Sequence, residues 1–215
     1  MGCHFLVILQ ANNTIMKYIQ DTEFALKTLI DTIFNEERII KKLEIKISKY
    51  VMLFEDFRSY ELGEDWDDMK LQDKFMKQAQ FHKEHNIPKK QEELEKIKEE
   101  LKNKNESINA LSTAILQIAK QGISIVHGNL SKCPEGRKLG DETIKNIIWQ
   151  SRNQSLHYEE EIHNTSVLDC FKKLKDEYGN KFDITNKTNK AKDIIDILGW
   201  NCYKNYYNDM NNLLQ

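Results

Sequence analysis

Glycine and proline are scarce in this chain: eight Gly and two Pro occur in 215 residues. Sandwiches, barrels and doubly wound sheets need turn residues at every connection, so the scarcity argues against them and for long helices. Strand-like alternation of apolar and polar residues is nearly absent too. No apolar run approaches the roughly 20 residues of a membrane span. The stretch 3–9 (CHFLVIL) is too short for one and lacks the basic flank of a signal peptide. Neither sign of charge dominates: 32 Lys and Arg stand against 34 Asp and Glu, a formal charge of −2 with a pI near 6.3. A generic polycation is thereby excluded, while a local basic groove is not. The four cysteines, Cys3, Cys133, Cys170 and Cys202, form no CxxC pair and have no His nearby to complete a zinc set. They read as reduced thiols of a cytosolic protein. Met1-Gly2 suggests a myristoylation signal, but Leu6 stands where Ser or Thr is required. Residues 1–15 are expected to be a disordered or misassigned leader, with Met16 as the start.

What the chain does have is apolar spacing of three and four along almost its whole length, the mark of an all-α, up-and-down helical bundle. A first helix is predicted over 14–34 and a second over 35–60, the two forming an antiparallel or kinked hairpin that ends at Leu62-Gly63-Glu64-Asp65. A charged helix over 66–84 follows. From Pro88, a first-turn proline, to about Val126 runs the strongest pattern. Leu94, Ile97, Leu101, Ile108, Leu111, Ile115, Ile118 and Ile125 fall on the a/d positions of one heptad frame, with Lys104 and Gly122 as exceptions. A helix of that length would measure on the order of 58 Å. Its first half is charge-laced and its second half apolar, which predicts a partly coiled-coil-like arm entering a bundle. Residues 66–106 are the charged arm and 128–140, with three Gly and a Pro, the main loop. Three further helices are expected over 141–161, 166–178 (closed by Gly179) and 190–214 (broken at Gly199-Trp200). Residues 16–215 form a single domain on this reading.

Arginine is also rare: Arg38, Arg58, Arg137 and Arg152 are all there is. Arg152 is followed by Asn153 and, five residues on, by His157, within IIWQSRNQSLHYEEE. On a helix Asn153 and His157 share a face that Arg152 can reach. Ile144, Ile147, Ile148, Ser151, Ser155 and Tyr158 make one stripe of that helix. Trp149, Asn153, Leu156 and His157 make a second cluster opposite, which a one-sided surface helix does not need. Such a set suits phosphodiester chemistry. A guanidinium holds non-bridging phosphate oxygens and stabilises developing charge. An imidazole, titrating near pH 6.5 in model compounds, moves a proton of the ribose 2′-hydroxyl or of the leaving oxygen, and Asn orients either group. The set calls for no metal and no other cofactor.

Arg152-Asn153-Gln154-Ser155-Leu156-His157 resembles the R-x(4–6)-H signature of HEPN domains, in the form with a polar residue after the Arg. IIWQSRNQSLHYEE is similar to the HEPN-like nucleases of bacterial toxin–antitoxin and phage-defence systems. The resemblance spans about residues 14–215, with specific identity in 141–161. It implies a metal-independent cytoplasmic endoribonuclease that cuts RNA through the 2′-hydroxyl, leaving 2′,3′-cyclic phosphate and 5′-hydroxyl ends. It implies Arg152, Asn153 and His157 as catalytic residues, and Trp149, Leu156 and Tyr158 in an interface or substrate cleft. A homodimer with a composite site and an antitoxin or defence-system partner follow from it as well. In the toxins paired with nucleotidyltransferases a Tyr lies two residues after the His; here that place is Glu159, with Tyr158 one residue early. The resemblance therefore does not extend to regulation by nucleotide transfer to that Tyr.

Two other readings compete: a non-catalytic HEPN-type module that binds RNA or a nucleotide or serves as a dimerising adapter, and a helical interaction protein working through its arm at 88–126. Among remaining candidates, His82 and His85 lie three apart but lack further ligands. His127 and His163 are expected at helix ends. Lys41-Lys42, Lys89-Lys90 and Lys172-Lys173 read as solvated faces, one of which could line an RNA path. Tyr203, Tyr206 and Tyr207 could stack bases but are expected to serve as core or interface aromatics.

Overall fold

The computed structural model describes residues 2–58, 68–161 and 164–215, with side chains from Met16 onward except at 56–58, 68 and 70. The break expected at 62–65 and His163 lie outside the described residues. The architecture is all-α. In chain order it comprises α1 (Gly2–Arg58), α2 (Asp68–His85), α3 (Ile87–His127), a two-residue-per-strand hairpin of β1 (Lys138–Leu139) and β2 (Glu142–Thr143), then α4 (Ile144–Leu156), α5 (Thr165–Tyr178), α6 (Ala191–Leu198) and α7 (Tyr203–Leu214). β1 and β2 pair antiparallel with Leu139 opposite Glu142, and Gly140 takes the turn at φ +56°. Among the described residues no helix is long and apolar enough to cross a membrane.

The hairpin predicted around Asn35 is not there: α1 runs through that point unbroken. Between Gly2 and Gly63 the chain holds neither Gly nor Pro, so nothing interrupts the i→i−4 ladder. The expected helix over 141–161 is shorter at both ends, because Glu142-Thr143 pair with β1 and because His157 leaves the helical conformation at φ −126°, ψ 22°. The later boundaries match their caps. Asn164 accepts from the Ser166 N–H at the start of α5, Gly179 closes that helix at φ +88°, and Gly199 closes α6 in the left-handed region.

The chain divides into two compact units, 1–35 with 107–215 and 36–106, and α1 and α3 each contribute to both. In the second unit, α1 and α3 run antiparallel. Lys104 meets Glu36 at 2.7 Å, and Tyr50 donates to Glu93. Leu94 and Ile97 are buried there, with Ile87 at the head of α3. Lys104, an exception in the heptad frame, is thus a half-buried ion-pair position.

In the first unit, Gly122 explains the other exception. A Cβ there would meet the Tyr18 ring at 2.6 Å, and the Tyr18 hydroxyl donates to the Ile118 carbonyl at 2.6 Å. Burial pushes that phenol up to about 12. The buried face of α3 in this unit is Ile108, Ser112, Ile115, Leu116, Ala119 and Ile123, whereas Ile125, an a/d position, is 50% exposed. A straight α-helix drifts about 20° per heptad against a 3.5-residue repeat, so the seam migrates around the helix. Val167, Cys170, Phe171 and Leu174 on α5, and Ala191, Ile194, Ile195 and Leu198 on α6, are buried at i, i+3, i+4 and i+7. The Arg137 guanidinium grips Asp209 with two bonds of 2.8 and 2.9 Å and the Leu198 carbonyl with a third. Asp209 also accepts from the buried Trp200 indole. The main loop is thereby tied to α7.

Candidate functional site

The site stands on α4, and the inward face of that helix sets its position. Ile144, Ile147, Ile148, Ser151 and Ser155 are buried as the periodicity predicts, with Tyr158 half-buried beyond the helix end. The Ser151 hydroxyl has no hydrogen-bond partner, so the residue serves by being small. Gln154 is fully buried. Its amide donates to the Thr188 carbonyl at 2.9 Å and accepts from the Lys190 N–H at 3.1 Å. Asn189 donates to the Ser155 carbonyl at 3.3 Å, Thr113 on α3 accepts from the same amide, and the Asn189 side-chain oxygen takes the Ala191 N–H. The end of α4 is therefore clamped to the segment leading into α6. An α-helix leaves its last carbonyls without partners, and one of them is satisfied here by Asn189.

On the outer face Arg152 is half-buried. Its Nε donates to Gln117 Oε1 on α3 at 2.5 Å and its Nη1 to Asn153 Oδ1 at 3.2 Å, and Nη2 has no partner among the described residues. Asn153 orients the guanidinium. One turn beyond Gln117, the Lys120 ammonium lies over the Trp149 ring, 4.5 Å from its centroid. Burial lowers the Lys120 pKa, and the nearby Arg152 charge lowers it further.

His157 is the cap residue of α4, not a member of its last turn. Its Nδ1 lies 2.6 Å from Glu160 Oε1. A carboxylate only accepts, so Nδ1 carries a proton; in the neutral ring Nε2 then holds the lone pair, and it has no partner among the described residues. Both side chains are more than half exposed. Leu156 is 48% exposed, an apolar residue beside the imidazole. The second cluster of α4 thus faces outward: Asn153 and Trp149 are half-buried, Leu156 and His157 open.

No family model, curated protein or solved structure matches this chain. What the site can do rests on its own side chains.

Three residues beside the motif were not anticipated: Gln117, Lys120 and Glu160. Glu160 was available as an acid one helical turn after His157. Lys120 was available as the only charge in the apolar run ILQIAKQGISIV. Elsewhere, among the described residues no three His, Cys, Asp or Glu side chains come together as a metal ligand set. His85 packs on Phe81 at 4.3 Å, and His127 bonds the Leu213 carbonyl at 2.7 Å. Tyr206 is buried edge-on against Trp200. Tyr203 and Tyr207 instead line a groove of about 480 Å³ with Met16, Ile19, Gln20 and Asn211 among its other walls. Lys173 is taken by the buried Glu142 at 2.7 Å.

Proposed function

We propose that this protein is a metal-independent endoribonuclease of HEPN type, a toxin or defence effector working in the cytoplasm as a homodimer. The observation that carries the reading is two braced groups, one in the last turn of α4 and one at its cap. The Arg152 guanidinium is braced by Gln117 and Asn153, and the His157 imidazole is held through Nδ1 by Glu160 with Nε2 open. In the reaction Nε2 takes the proton of a ribose 2′-hydroxyl. The 2′-oxygen then bonds the adjacent phosphorus and the bond from phosphorus to the 5′-oxygen breaks. The imidazolium so formed returns that proton to the leaving 5′-oxygen, directly or through water, and the products are a 2′,3′-cyclic phosphate and a 5′-hydroxyl. Arg152 stabilises the charge that builds on the non-bridging oxygens. Exposed Leu156 supports a second copy packing across the same helix end, and the free thiols Cys133, Cys170 and Cys202 suit a reducing compartment.

The test is cleavage of a labelled RNA in EDTA, comparing wild type with His157→Ala and scoring cyclic-phosphate ends. The expected loss is about 10²-fold or more, the usual contribution of a general acid–base group. Equal cutting by both proteins would sink the proposal. The non-catalytic alternative draws on a different observation, that Arg152 already spends two of its donors inside the protein. It predicts RNA binding without cleavage by any variant.

A further inference from the structure

Residues 107–134, which include the C-terminal half of α3, contain no Asp or Glu, and neither do residues 143–158, which include α4 and its cap. At the overall frequency of 34 acidic residues in 215, about seven would be expected in these two stretches. They meet where Gln117 holds Arg152. Lys145 is accounted for, since it donates to the Cys133 carbonyl at 2.8 Å. Lys120 is not: its ammonium has the Trp149 face and, among the described residues, no carboxylate. Gln117 precedes it by one turn on the same side of α3, so the bond that fixes Arg152 brings the guanidinium to the face that carries Lys120. Burial and the Arg152 charge both disfavour the protonated lysine, and no acid among the described residues opposes them. Two half-buried cations side by side without a counter-charge repel, and an anion between them turns that repulsion into attraction.

We propose that Lys120 and Arg152 form a two-cation seat for a backbone phosphate of single-stranded RNA, with Lys120 an RNA-binding residue outside the R-x4-H motif. The fork of Arg152 suits two non-bridging oxygens, and the ammonium adds a point charge that swings from the Trp149 ring. The identity of the anion rests on the ribonuclease reading. The existence of the seat rests on the two unopposed cations.

The full-length protein is titrated with a fluorescent 2′-O-methyl oligonucleotide, which has no free 2′-hydroxyl and is not cut by that route. Anisotropy is followed across a salt series. Lys120→Met, which keeps the aliphatic stem over Trp149, is expected to weaken binding about tenfold and to reduce the salt slope by about 0.7, the share of one phosphate contact. Lys120→Arg should restore both, and Lys102→Ala, on the exposed charged part of α3, should change neither. Thermal melting confirms that each variant folds. Unchanged affinity and slope in Lys120→Met, no binding by wild type, or an equal loss in Lys102→Ala would each overturn the seat. If Lys120→Met loses binding while no RNA is ever cut in EDTA, the seat stands and the ribonuclease falls. If RNA is cut through His157 and Lys120→Met binds as wild type does, the reverse holds.

Discussion

Gln154 and His157 lie three residues apart in one short motif and serve opposite ends. Gln154 is sealed inside, with both ends of its amide bonded to the backbone of residues 188 and 190. His157 stands outside with one ring nitrogen engaged. The motif was visible in the sequence because Asn153 and His157, four apart, share a face of a helix that the long Arg152 side chain can reach. The direction each side chain takes was settled by packing. The same contrast divides the cysteines. Burial pushes the Cys170 thiol up to about 12 and the Cys133 thiol up to about 11, while Cys202 is exposed. Since the thiolate is the reactive form, a maleimide at neutral pH should label Cys202 well before Cys133 or Cys170. Peptide mass spectrometry resolves the three sites, and Cys133 labelled as fast as Cys202 would contradict the burial described here.

Among the elements, α1 and α3 carry the clearest lesson. The apolar periodicity of 14–60 was legible, but the turn placed at Asn35 had no Gly or Pro to make it, and the helix continues. The heptad record of α3 failed at Lys104 and Gly122 for a shared reason. Both are positions where α1 presents a particular side chain, Glu36 in one unit and Tyr18 in the other. Gly122→Ala should therefore destabilise the protein by about 1–3 kcal/mol, the usual effect of overpacking. Urea unfolding is the measurement, and in a Tyr18→Leu background the added methyl should cost much less. An equal cost in both backgrounds would mean that helix propensity or another neighbour is responsible.

Across the whole molecule, burial is unevenly shared. Of the twelve largest fully buried side chains among the described residues, only Ile87 belongs to the unit 36–106. That unit also exposes Ile45, Met52, Met69 and Met76. Local opening is easiest where few apolar side chains are buried. Hydrogen exchange read by mass spectrometry should find amides of α4, α6 and α7 slowest and those of α2 and the first half of α3 markedly faster. Uniform protection across the two units would refute this.

Helical class, the caps at Gly179 and Gly199, the buried stripe of α4 and the Arg152–His157 spacing were all determined by the sequence alone. Each depends on interactions within a turn or two, where the 3.6-residue period and the absence of breakers suffice. Tertiary structure alone decided that Gln154 clamps residues 188–190 and that Gln117 and Lys120 join the site. The bond from Arg152 to Gln117 spans 35 residues of chain. Its formation depends on how α3 and α4 pack, which follows from the summed burial of both helices and from no spacing along either one.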